Sequence, residues 1–183
     1  MFAFSIRQLG MAVGLVLAGV TVYTSLFGIF DPGYQRPLTF AACIVAAVCV
    51  KPMVSIYPLP QRGARFLLWV LDALLVAMIL LAIQRFVSYA DGMQNMLVDY
   101  SRLDQLIALG GLIALIELTR REFGLGLSLF AAVTLVYCLF GEMLPGGLRH
   151  AGFSLDQVMQ GMWYGFTGVF GTPVAVMIEL LFI

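Results

Sequence analysis

The chain has 183 residues, of which 62% are hydrophobic and 11% charged, and its mean hydropathy is +1.00. That composition excludes an ordinary soluble domain and points to an all-α, polytopic helical membrane protein. Ten Lys+Arg balance ten Asp+Glu, which leaves no basic face to hold nucleic acid.

Residues 9–30 form a long apolar run behind Arg7. A cleaved signal peptide has a shorter apolar core and a small-residue cleavage site, so a retained first span is expected. Gly10, Gly14 and Ala18 recur at four-residue spacing, a small-xxx-small pattern that lets another helix backbone come close. Asp31-Pro32-Gly33 then breaks the helix. A second span is expected over 37–50, with an extension through Pro52 to residue 56 left open. Residues 51–65 form a basic, proline-rich loop, and a third span follows over 66–83. Asp72 lies about two turns into that span. A carboxylate there calls for a partner, either Arg65 or a polar contact on a neighbouring helix. A proton or ion ligand is the alternative, but one isolated carboxylate is too little for a cation site. Residues 85–101, with Tyr89, Asp91, Asp99 and Tyr100, read as a polar connector at the membrane–water interface.

The stretch 102–124, RLDQLIALGGLIALIELTRREFG, has charge at both ends and almost none between. Its apolar part covers roughly 24 Å at about 1.5 Å per residue, enough for most of a hydrocarbon core. Asp104 marks one mouth. Glu117, Arg120 and Arg121 mark the other, spaced three and four residues apart so that all three share one helix face. They serve either as a snorkelling ion pair that fixes the helix end or as a docking site for another helix. A fifth span follows over 125–140, then a Gly-rich connector with Pro145. Ser154 and Gln157 form a capping box. Leu155, Val158, Met159, Met162, Trp163 and Phe166 follow at helical spacing, as in an amphipathic helix on the outer interface or on a partner. The sequence closes on an apolar run, as a natural terminus or as a piece of a longer chain.

With the N-terminus in the cytoplasm, Arg7, Lys51, Arg62, Arg65, Arg120 and Arg121 lie inside, and Arg36, Arg85, Arg102 and Arg149 lie outside. That orientation follows the positive-inside rule. Chemistry is sparse. No phosphate loop, HExxH or GxSxG motif occurs. Cys43, Cys49 and Cys138 lie inside apolar runs without a metal-ligand spacing. His150, the single histidine, reads as an exposed loop residue, with Glu142 eight residues upstream. Two classes stay open from the residues alone: a scaffold or helper subunit of a transporter, and a small intramembrane enzyme or electron carrier. The lack of a ligand cluster favours the first. Asp72, Glu117, Arg120 and Arg121 are the candidate packing and assembly residues, with no catalytic, cofactor or metal residue expected.

The order of features also resembles the N-terminal part of the membrane component of tripartite ATP-independent periplasmic (TRAP) transporters, of the fused type that works with a TAXI-class binding protein. The resemblance runs through Tyr23…Phe27-Gly28…Gln35-Arg36 and Trp69-x-x-Asp72. It continues through Asp104…Gly110…Glu117-x-x-Arg120-Arg121-x-x-Gly124 and Tyr137…Gly141…Leu144-Pro145-Gly146. His150-x-Gly152-x-Ser154 and Gly168-x-Phe170-Gly171-x-Pro173 complete it. Thr39 departs from it where a histidine is expected. The resemblance implies a four-span, small-subunit-like scaffold over 1–122 and a connector span with its periplasmic loop over 123–153. Residues 154–183 would begin the large subunit. With a sixth, terminal span this gives five to six transmembrane helices plus the interfacial one. It also implies a bacterial or archaeal inner membrane, organic-acid import on a sodium or proton gradient, and two partners: a large membrane subunit, fused or separate, and a periplasmic binding protein. The family's substrate and cation sites lie further along the large subunit and have no counterpart here.

Overall fold

The computed structural model describes residues 2–28, 30–57, 61–94 and 99–176. It is all-helical, at 82% helix, with no strand among the described residues. The helices are α1 (Phe2–Phe27), α2 (Pro32–Val50), α3 (Met53–Ile56), α4 (Arg62–Gln94), α5 (Arg102–Phe123), α6 (Leu125–Phe140), α7 (Leu155–Met162) and α8 (Thr172–Ala175).

The long helices stand in a row. α1 packs on α2, α2 on α4, α4 on α5 and α5 on α6, while α7 sits against α5 and α6 and α8 against α2. Local chemistry fixes the boundaries. Asp31 caps α2 by accepting the Gly33 N–H at 2.7 Å, and Pro32 takes the first helical position, where its missing N–H costs nothing. α2 therefore begins five residues earlier than its apolar run suggests. It also stops before Pro52, because a residue preceding proline is pushed out of the helical region. The extension to residue 56 becomes a separate single turn, α3. Gly124, at φ +84°, ends α5 and opens α6 in the same step.

The connector expected over 85–101 is shorter than composition suggests, because α4 continues to Gln94. Arg85, Ser88 and Asp91 face outward. Ile79, Ala82, Ile83, Phe86 and Ala90 continue one buried stripe across the supposed boundary. At 33 residues α4 is about 50 Å long, well beyond a hydrocarbon core of about 30 Å.

The stripe meets the chain's return segment, residues 155–175, from α7 to α8. Phe86, Trp163 and Phe170 are fully buried, and the Trp163 Nε1–H donates to the Ala82 carbonyl at 3.0 Å. Phe86 and Phe170 lie 4.3 Å apart between ring centroids, and Trp163 meets Phe170 edge-on at 5.5 Å. The capping box of Ser154 and Gln157 is present, but α7 is only eight residues long. Val158 and Met159 turn part of its apolar face onto the chain's own core, against α5.

The small-residue pattern in α1 is likewise split. Gly10 lies against Ala46, Cys49 and Val50 of α2, whereas Gly14 and Ala18 face away from the protein.

Among the described residues, four helical stretches are long and apolar enough to cross a membrane: Ile6–Thr24, Pro32–Val50, Arg62–Gly92 and Leu125–Met143. Their outer faces expose Leu15, Phe66, Leu74, Leu129 and Phe130, an apolar surface that lipid would cover. α5 is long enough at 22 residues but too charged at its ends to belong with them.

Gly111 of α5 is where the return segment, α4 and α5 converge. A Cβ there would lie 2.8 Å from Ala82 Cβ and 2.9 Å from the Trp163 ring. Gly111→Val is expected to destabilise the fold by about 1–3 kcal/mol through overpacking. Gly126→Val, at an open position on α6, serves as the control. Equal thermal unfolding midpoints for the two variants in detergent would contradict this packing.

Candidate functional site

The charged residues singled out in the sequence converge at one end of the molecule. Asp72 of α4 and Arg121 of α5 form an ion pair through Oδ1 and Nη1, with both side chains only 3% exposed. Asp72 Oδ2 also accepts the Met53 N–H at 2.7 Å, a donor left free at the start of α3. Asp72 is thus satisfied by a neighbouring helix, Arg121 being its partner among the described residues, and by the turn before α4.

Arg121 in turn donates through Nε to Glu117 at 3.0 Å. Glu117 also takes a two-pronged contact from Arg120, Nε at 2.7 Å and Nη2 at 2.8 Å. The shared helix face of Glu117, Arg120 and Arg121 is therefore present. Arg120 reaches Tyr57 Oη at 3.0 Å, and Arg121 Nη2 lies 3.7 Å from the Met53 sulfur. Lys51 lies 3.4 Å from Glu122 and 3.3 Å from the Arg121 carbonyl, more exposed contacts of smaller weight. Sequence reasoning missed Met53, Tyr57, Lys51 and Glu122. Nothing in the spacing of the proline-rich loop marks which of its residues reach across to α5.

A second polar cluster lies at the opposite end of α5. Asp104 is buried, receives the Ser101 hydroxyl at 2.6 Å and the Tyr89 hydroxyl at 2.9 Å, and has Arg85 at 3.7 Å. Ser101 and Asp104 form a capping box, and Tyr164 Oη donates to the Asp104 carbonyl at 2.9 Å. Tyr100 stacks on Tyr164 at 4.6 Å. Burial, then the negative charge of Asp104, raises the Tyr164 phenol above its ordinary range and keeps it a donor. Burial raises Tyr100 as well.

The buried polar groups of both clusters are paired within the protein. No buried side-chain nitrogen or oxygen lacks a hydrogen-bond partner among the described residues, and none of their His, Cys, Asp and Glu side chains gather in a group of three that could hold a metal ion. Cys43, Cys49 and Cys138 are free thiols. Glu179 lies outside the described residues. His150 is half-buried, not an exposed loop residue, and its ring lies directly on Gly141. No protein-family model, curated protein or solved structure matches the chain.

Chemically, these clusters hold helices together. Arg121→Ala leaves Asp72 buried without its countercharge and is expected to cost about 3–5 kcal/mol. Glu117→Ala is expected to cost less, because its carboxylate is 27% exposed and Arg121 keeps Asp72. Thermal unfolding of the two variants in one detergent ranks them. A Glu117 variant as damaged as the Arg121 variant would show that the surface pair, not the buried one, carries the stability.

Proposed function

We propose that the chain is the membrane scaffold portion of a TRAP-type secondary transporter, importing organic acids with a cation gradient, a large membrane subunit and a periplasmic binding protein. In this reading α1, α2, α4 and α5 are the four small-subunit-like spans. α5 crosses by sheltering its charged ends inside the protein, and α6 is the connector span. Residues 154–183 begin the large subunit, and the end that holds Arg120 and Arg121 faces the cytoplasm.

The observation that carries this reading is the pair of clusters at the two ends of α5. One ties α5 to α3 and α4, the other ties it to α4 and the return segment. A helix fixed at both ends suits a static support. Among the described residues every buried polar side chain has a partner, whereas a coupled carrier needs a polar site near the midplane, commonly at paired helix breaks. The order of the sequence motifs, from Tyr23 to Pro173, supports this particular family.

Reconstitution tests this. The purified chain in liposomes, under an imposed sodium or proton gradient, is expected to take up no labelled organic acid. Uptake is expected once the large subunit and its binding protein are added. Gradient-driven uptake by the 183-residue chain alone would overturn the scaffold assignment, and no uptake with all three components would remove the support for this transporter class.

A further inference from the structure

We infer that His150 is a proton-operated latch on the loop joining α6 to α7. The inference rests on the loop's geometry and not on the transporter reading.

α6 ends with carbonyls that have no partner within the helix. The Tyr137 carbonyl is met by His150 Nε2 at 3.0 Å, and the Cys138 carbonyl accepts the Phe153 N–H at 3.1 Å. The His150 N–H reaches the Gly141 carbonyl at 3.3 Å. A side chain and two backbone N–H groups from residues 150 and 153 thus close the helix end.

The other ring nitrogen is committed too. The Gly152 N–H donates to His150 Nδ1 at 3.0 Å, folding Gly152 back at φ +68°. A backbone N–H only donates and a backbone carbonyl only accepts. The neutral ring must therefore carry its proton on Nε2 and present a lone pair at Nδ1. Tyr137 packs edge-on at 4.7 Å and Phe153 lies tilted at 5.6 Å, so the ring is gripped between them. Gly141 supplies the floor, since any Cβ there would overlap the imidazole.

Imidazole is the side chain whose charge ordinarily changes between about pH 5 and 8. Adding a proton to Nδ1 sets two donors against each other 3.0 Å apart and expels the Gly152 N–H. The Nε2–H bond to Tyr137 survives, and the positive charge suits a helix C-terminus. The latch therefore opens on one side only, releasing the Gly152 N–H while the Phe153 N–H and the α6 end stay bonded.

The groups around the ring agree with a two-position device. α6 contributes only the Tyr137 phenol, and Arg149 precedes the histidine in the chain. Asp156 lies in the first turn of α7. From the 141–143 turn comes Glu142, whose side chain packs on Gly152, with its carboxyl carbon 3.5 Å from where a Cβ would stand.

Because the chain has one histidine, its imidazole gives a single, unambiguous nitrogen signal. The test uses the full chain in lipid nanodiscs with ¹⁵N-labelled histidine, read together with the amide protection factors of Gly152 and Phe153. The neutral ring is expected to carry its proton on Nε2. As the pH is lowered, the Gly152 protection factor is expected to fall about fivefold or more in step with protonation of the ring, as for the loss of one hydrogen bond. Phe153 is expected to stay protected. His150→Gln, whose amide does not titrate, is expected to show no pH-dependent loss at Gly152. The latch is overturned by any of three results: a neutral ring protonated on Nδ1, Gly152 protection indifferent to ring protonation, or the same pH-dependent loss in His150→Gln.

Discussion

Two opposite charges, Asp72 and Arg121, are each held at 3% exposure on neighbouring helices, and much of the structure exists to make that tolerable. Neither charge can be withdrawn from water alone, because an unpaired ion in an apolar interior costs several kcal/mol or more. Pairing them fixes the relative height of α4 and α5. Met53 then supplies a backbone donor to the acid, and Glu117 an acceptor to the base. Arg120 and Tyr57 complete a network that runs from loop to helix to helix. The short turn α3 has no other evident reason to lie where it does.

At the far end of α5 the problem is solved with neutral donors. Asp104 is buried among hydroxyl groups of Ser101 and Tyr89, with Arg85 at the edge, and Tyr164 holds the helix's own backbone. The two ends therefore differ in kind. One is an ion network exposed to salt and mutation as a charge effect, the other a tyrosine cage that depends on packing. Between them Gly111 lets Trp163 enter, so the return segment locks the α4–α5 pair at mid-height.

Much of the helix layout was legible in the sequence. The fifth helix was placed at its observed bounds, and the capping box of Ser154 and the shared face of Glu117, Arg120 and Arg121 were visible from spacing. The failures have a common cause. Composition marked 85–101 as polar, but burial follows the face a residue occupies, and Phe86 and Ala90 lie on the buried one. The amphipathic helix was recognised correctly as a pattern, yet no pattern states whether an apolar face meets lipid, a partner or the chain's own core. Asp72 was known to need a partner. Arg121 lies 49 residues away, and only the packing of α4 on α5 brings it there.

The central claim is that Asp72 and Arg121 act as one unit. A double-mutant cycle with Asp72→Ala, Arg121→Ala and the double variant, followed by equilibrium unfolding in mild detergent, measures that directly. The account predicts single variants that are each strongly destabilised and a double variant little worse than either, a coupling about as large as either single loss, about 3–5 kcal/mol. Losses that simply add, to within about 0.5 kcal/mol, would contradict it.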